Sequence, residues 1–246
     1  MKEITGTLSL VFALWPVYAG LCDISYQASI DLSGRYVWRG QDISDRPVLQ
    51  PAFELTLGQF AAGLWGNMDL THTNDRCGDF SELDYYASYS GSLADLAGLE
   101  YELGLIVYDF HGRWADGSCT FDTVEAYCSI SLATFLNPTV CAYLDLDEAD
   151  GLYVSLELSK ALPLGFELSA GLGLATSSYN KYYWGVDSTL PNDITIRLGR
   201  PVTIGTWRKN PSLTYVTIPS AALRKTEVYN PDSDLFFLGL SIQKEF

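Results

Sequence analysis

The stretch Ile24-Ser25-Tyr26-Gln27-Ala28-Ser29-Ile30-Asp31-Leu32-Ser33-Gly34-Arg35-Tyr36-Val37-Trp38 alternates with a period of two. Ile24, Tyr26, Ala28, Ile30, Leu32, Gly34, Tyr36 and Trp38 fall on one face. Ser25, Gln27, Ser29, Asp31, Ser33, Arg35 and Val37 fall on the other, and Arg39 continues that second face. Successive side chains of a strand point to opposite sides, so this spacing predicts one apolar and one polar face. Sandwich strands of soluble proteins alternate over about five or six residues. Here the run covers fifteen.

The pattern recurs along the chain. Leu99, Tyr101, Leu103, Leu105 and Val107 oppose Glu100, Glu102, Gly104 and Tyr108. Leu152, Val154, Leu156 and Leu158 oppose Tyr153, Ser155, Glu157 and Ser159. The polar-face residues are small or acidic and cannot make a core among themselves, so that face meets water or lines a wet lumen. The spacing predicts about twelve strands: 24–38, 51–57, 60–70, 82–90, 99–109, 122–134, 138–146, 151–160, 165–175, 193–199, 211–218 and 235–246. Connections 39–50, 71–81, 110–121, 176–192 and 219–234 are long, with 147–150 a short exception. The alternate set, 58–59, 91–98, 135–137, 161–164 and the longer 200–210, is mostly tight. Long loops at one end and short turns at the other, with both termini on the short-turn side, are the pattern of outer-membrane barrels. The fold expected is all-β: an antiparallel up-and-down transmembrane β-barrel.

Composition and the two ends of the chain agree with this reading. The 246 residues carry a net charge of −15, which excludes phosphate-backbone binding and hence nucleic-acid partners. An aromatic content of 13% excludes a disordered acidic tail. Ile4 to Ala19 is apolar but shorter than the ~20 residues of a membrane-spanning helix. It closes on Val17-Tyr18-Ala19, so residues 1–19 read as a signal peptide and 20–246 as the barrel. The chain ends in an alternating strand on Phe246, which resembles the signal that outer-membrane assembly machinery reads. The expected location is the bacterial outer membrane, with its lipid and that machinery as partners. Tyr36, Trp38, Trp65, Tyr85, Tyr89 and Tyr108 crowd strand ends, as an interfacial aromatic girdle would.

The segment Ser33-Gly34-Arg35-Tyr36-Val37-Trp38-Arg39-Gly40-Gln41-Asp42-Ile43-Ser44 resembles the opening of a family of conserved hypothetical proteobacterial proteins, the Gcw_chp family. Members share the length, a signal peptide, a first strand of the S-x-Y-x-W-R-G-x-x-x-S type and a terminal Phe. Here Gly34-Arg35 stands between Ser33 and Tyr36, a departure from that spacing. The resemblance implies the barrel fold and brings no activity with it.

Strand phase predicts the lumen. The pore-lining candidates are Asp31, Arg35, Arg39, Glu54, Asp69, Asp84, Glu100, Glu102, Glu125, Asp145, Glu157, Glu167 and Arg197, with Glu245 in the same phase. Carboxylates outnumber arginines, so an open lumen would favour cations. In the opposing reading, Arg35, Arg39 and Arg197 pair with carboxylates and plug the barrel. The function expected is a passive pore for small cationic or neutral solutes, the alternative a non-conducting structural or surface-interaction barrel with a salt-bridged lumen.

Catalysis is not expected. His72 and His111 fall in long loops without a nucleophile–base–orienter arrangement. No metal or cofactor is expected either. Asp145-Leu146-Asp147-Glu148-Ala149-Asp150-Gly151 looks like the start of an EF-hand, but Asp150 and Gly151 fall one position late, and a solvated acidic turn is preferred. Five cysteines suit an oxidising compartment. Cys77 and Cys119, in long loops at the same end, are the disulfide expected. Cys128 and Cys141 have opposite phase, outward and inward, and are not expected to pair.

Overall fold

The structure is a computed structural model that describes residues 24–72, 77–93, 98–110, 122–226 and 233–246. The expected signal peptide, 1–19, lies outside the described residues. The strands are β1 (Ile24–Ser33), β2 (Tyr36–Trp38), β3 (Gln41–Ser44), β4 (Val48–Leu57), β5 (Phe60–Asp69), β6 (Phe80–Leu93), β7 (Leu99–Asp109) and β8 (Thr123–Ser131). They continue with β9 (Thr139–Asp145), β10 (Leu152–Ala161), β11 (Glu167–Ala175), β12 (Leu190–Gly199), β13 (Val202–Ile204), β14 (Trp207–Thr217) and β15 (Asp234–Glu245). An α-helix, α1 (Ser177–Trp184), interrupts the connection from β11 to β12.

Twelve strands form the wall, and the expected barrel is present. Wall strands pair antiparallel in chain order: β1 with β4, then each with the next through β12, then β14 and β15. The ring closes where β15 meets β1, with Gln27 opposite Glu245 and Ser33 opposite Gly239. Phe246 seals that seam through reciprocal backbone hydrogen bonds with Tyr26. The short β13 extends the turn between β12 and β14 and pairs only with β14.

The barrel is inside-out. Leu55, Leu103, Leu105, Leu156, Leu172 and Leu213 are exposed on the outer face, and buried polar residues outnumber buried apolar ones. Inward glycines make room for rings from the next strand. A Cβ at Gly63 would collide with the Tyr86 ring, and one at Gly104 with the Tyr127 ring. Each tyrosine lies across the glycine it faces in register, and its hydroxyl reaches a carboxylate, Glu54 and Glu102 respectively.

The first expected strand, 24–38, is corrected. The wall strand ends at Ser33, the chain departs at Gly34, and β2 and β3 form a separate hairpin. Its tip is Arg39-Gly40, with φ of 49° and 87°. Positive φ at both central residues is the geometry of the tight hairpin turn that matches strand twist. The apolar phase of 24–33 carries on into β2, so alternation alone reads one strand across the break. The connection expected to be loop at 176–192 holds α1, ended by Gly185 at φ 69°.

Two outcomes follow from a closed wall in lipid. Unheated protein in SDS is expected to migrate differently from boiled protein, because no strand edge is free to unzip. Leu105→Arg, near the middle of β7, is expected to lower stability by about 2–4 kcal/mol in urea titrations from lipid vesicles. Leu105→Val is expected to cost less than about 1.5 kcal/mol.

Candidate functional site

The β2–β3 hairpin folds into the lumen from the long-loop end. Tyr36, Gln41, Asp42 and Ser44 are all buried there. The hairpin is internally tied by the ion pair between Arg35 and Asp42. Its links to the surroundings are made by side chains: Gln41 Nε2 donates to the Tyr183 carbonyl at 2.7 Å, and the Tyr36 ring packs on Trp65 at 5.6 Å.

Arg39 at the tip is the centre of the site. Its two terminal nitrogens donate to the two oxygens of Glu125, Nη1 to Oε1 at 2.6 Å and Nη2 to Oε2 at 2.7 Å. Nη1 also donates to the Tyr179 hydroxyl at 2.9 Å, and the Tyr108 hydroxyl donates to Glu125 Oε2 at 2.8 Å. Four rings surround the guanidinium carbon, with centroids at 4.4 Å (Tyr143), 4.6 Å (Tyr153), 4.7 Å (Trp38) and 5.6 Å (Tyr179). The Arg39 side chain is 8% exposed and that of Glu125 0%. A forked pair held by neighbouring hydroxyls and rings is the arrangement that makes a buried charge pair tolerable.

The α1 helix braces the hairpin. Tyr179 and Trp184 are buried, and Asn180 Nδ2 donates to the carbonyls of Ala175 and Ser188. Tyr183 donates its hydroxyl to Asp145 Oδ2 at 2.9 Å. Burial, with Tyr179, Asp145 and Glu125 close by, holds the Tyr183 hydroxyl protonated well above the ordinary phenol range. Burial does the same to Tyr179, against the opposing pull of Arg39.

The wall candidates separate by what they touch. Asp145 is the last residue of β9, and its Oδ1 accepts from Thr123 and from the amides of Asp147, Glu148 and Ala149. It is a turn-capping acid, not free pore charge, and the 147–150 acidic turn is built on it. Glu125 is consumed by Arg39. Glu54 and Glu102 accept from Tyr86 and Tyr127. Arg197 donates to Ser212 Oγ at 3.2 Å and makes no carboxylate pair among the described residues. Asp31, Asp69, Asp84, Glu100, Glu157 and Glu167 take the inward phase of their strands. One oxygen of each of Asp31, Glu82 and Asp84 is buried without a protein hydrogen bond among the described residues.

The hairpin divides the upper lumen into two cavities that share Tyr36, Arg39 and Trp65. One, about 350 Å³, is lined by Asp31, Arg35, Glu157, Asp193, Arg197 and Thr214 among others. The other, about 410 Å³, runs past Asp84, Tyr86, Tyr108 and Tyr143. At the short-turn mouth, a cavity of about 490 Å³ is lined by Gln59, Ser90, Glu100, Glu102, Ser129 and Ser131.

Several expectations change. Tyr36, Trp38, Trp65 and Tyr108 belong to the lumen, not to an outer girdle. Tyr85 and Tyr89 do lie on the outer face, in register with Leu64 and Phe60. Glu82 and Asp193 belong to the inner wall and obey the same phase rule as Asp84 and Arg197. The cage tyrosines Tyr143, Tyr153 and Tyr179 had no sequence signal beyond inward phase or loop position. The disulfide expectation is not supported: Cys77 is a free thiol whose Sγ lies 3.4 Å from the Leu70 carbonyl, and Cys119 lies outside the described residues, as does His111. Cys128 and Cys141 are free as well. Register puts Ser129, not Cys128, opposite Cys141, as their phases require.

No family model matches the chain, and no curated protein does. Among solved structures it is similar to a KdgM porin, at 9% identity and a TM-score of 0.52 over 90% of this chain and 99% of that one. It is also similar to the COG4313 outer membrane channel from Pseudomonas putida F1, at 11% identity and a TM-score of 0.52 over 94% of this chain and 98% of that one. At such identities the likeness is one of fold, and the fold is that of outer-membrane barrels.

The Arg39–Glu125 pair yields a stability test. Arg39→Ala strands a fully buried carboxylate and is expected to cost about 3–5 kcal/mol in urea unfolding. Arg39→Ala/Glu125→Gln is expected to cost clearly less than the sum of the two single substitutions.

Proposed function

We propose that the chain is an outer-membrane pore for small cationic or neutral solutes, narrowed at the long-loop end by its own hairpin. The observation that carries this reading is the polar, carboxylate-bearing inner wall, which lines a cavity on each side of the hairpin and a third at the Glu100–Glu102 mouth. Fixed carboxylates in a low-dielectric tube concentrate cations and repel anions, and the effect weakens with salt as the Debye length shrinks from ~30 Å at 0.01 M to ~3 Å at 1 M. The reading assigns the barrel no chemistry; passage depends on radius and field alone. The likeness of residues 33–44 to the Gcw_chp opening is part of it, because that segment is the wall end and inward hairpin. Proteins that share the segment are expected to share the plug.

A second reading is favoured by one specific observation. The Arg39–Glu125 pair and its aromatic surroundings fasten the hairpin across the lumen. If that fastening is permanent, the barrel is a non-conducting scaffold whose long loops meet partners.

Planar-bilayer recordings separate the two. Stepwise conductance is expected, with reversal potentials under a KCl gradient that indicate K⁺ preference, stronger at low salt. Glu100→Gln/Glu102→Gln is expected to reduce that preference by about twofold or more at 0.1 M salt, where screening is incomplete. Anion preference, or indifference to this double substitution, would sink the cationic reading. Silent wild-type protein would favour the scaffold.

A further inference from the structure

The surroundings of Arg39 amount to a receptor for a flat organic cation, assembled mostly from the wall. Glu125 is on β8, Tyr108 on β7, Tyr143 on β9 and Tyr153 on β10, four successive strands, and Tyr179 comes from α1. Trp38 is the one cage ring that travels with the hairpin. The Glu125 carboxylate is fixed by the Tyr108 hydroxyl and offers its two oxygens side by side to a planar N–H fork. Rings around a buried carboxylate favour a weakly hydrated, delocalised cation over Na⁺ or K⁺.

The occupant is carried by an element that has no backbone pairing with the wall. Among the described residues, β2 and β3 pair only with each other, and no backbone hydrogen bond joins residues 36–44 to a wall strand. Arg39 itself sits at φ 49°, in the left-handed region that side-chain-bearing residues adopt only at a cost. Withdrawal would relieve that backbone, and a second cation in the cage would replace the charge that Glu125 loses. An unoccupied cage would leave Glu125 buried and unpaired, so withdrawal without a replacement is opposed.

We propose that the Glu125 cage is a guanidinium-recognition site of the lumen, occupied at rest by the chain's own Arg39 and open to solute alkylguanidinium cations in exchange for it. This rests on the pore reading and narrows its solute class. Selectivity comes from the fork. Alkylguanidinium presents two parallel N–H groups to the two Glu125 oxygens, whereas tetramethylammonium presents none and a primary ammonium is a point charge.

The test is a titration of the refolded barrel in detergent with methylguanidinium chloride, read by tryptophan fluorescence, since Trp38 borders the cage. Sodium chloride keeps ionic strength constant. Arg39→Ala empties the cage and is expected to give saturable quenching with a midpoint at least tenfold lower than wild type, where Arg39 must be displaced. Arg39→Ala/Glu125→Gln is expected to raise the midpoint at least tenfold again, and tetramethylammonium to be at least tenfold weaker than methylguanidinium. Equal midpoints for the single and double variants, or equal response to the two cations, would overturn the proposal. Should Arg39→Ala fail to refold, Arg39→Lys keeps the charge without the fork. Its midpoint is expected at least fivefold below wild type, and an unchanged midpoint overturns the proposal. The binding readout is independent of current. A barrel that binds methylguanidinium but does not conduct refutes the pore reading alone, and one that conducts without binding refutes only the cage.

Discussion

A strand that crosses hydrocarbon has no water for its amides and carbonyls, so each must find its partner on a neighbouring strand. An open sheet cannot meet that demand at its edges. The pairing of β1 with β15, sealed by Tyr26 and Phe246, is the contact that removes the last edge, and the rest of the molecule depends on it. Closure also dictates the side-chain pattern. With lipid outside and a wet interior, the outward phase takes leucine and the inward phase takes serine, glycine, tyrosine and carboxylate. Phe246 is thus structural: removing it would take away the two backbone hydrogen bonds to Tyr26 at the end of the seam.

The wall was legible because its physics is periodic. Ten of the eleven wall strands after the first begin and end within three residues of where alternation puts them, and the other, β14, starts four residues early at Trp207. The lumenal placement of Asp31, Glu54, Glu100, Glu102, Glu157 and Glu167 follows from the same period. What alternation could not convey is a change of route without a change of phase. Tyr36 and Trp38 keep the rhythm of Ile30 and Leu32, yet they belong to a hairpin inside the barrel. The informative residues there are few: Gly34, where the chain departs, and Arg39-Gly40, whose positive φ values make a tight turn. An Arg-Gly pair is a weaker turn signal than Asn-Gly, because arginine gains nothing locally from a left-handed backbone.

Residue-level charge counts were the other blind spot. Phase assigns Glu125, Asp145 and Glu157 the same status, but their surroundings differ completely. Glu125 is neutralised by a forked arginine, Asp145 is saturated by three amides and two hydroxyls, and Glu157 stays exposed to the cavity. The field in the lumen therefore comes from fewer carboxylates than the sequence contains, among them Asp31 and Glu157 beside the hairpin and Glu100 at the short-turn mouth. The aromatic residues show the same limit. Trp65 and Tyr108 have inward phase and Tyr85 and Tyr89 outward phase, and only the phase, not the residue type, tells a cage from a girdle.

Twelve strands enclose more space than wall side chains can fill; eight already suffice for a packed interior. The surplus must hold water or chain. Here tyrosines laid over glycines thicken the wall, and the hairpin and α1 occupy the long-loop half, so the narrowing is supplied by connections and not by the wall itself. That division matters energetically. A plug made of wall side chains could be cleared only by breaking ladder hydrogen bonds, which lipid forbids. A plug made of a loop is held by side-chain contacts, one ion pair and a few rings, so its displacement would leave every ladder hydrogen bond of the barrel in place. Placing the most deeply buried charge pair of the lumen, Arg39 with Glu125, at the tip of that loop concentrates the cost of opening in a single interaction, and leaves the cost adjustable by whatever cation can stand in for Arg39.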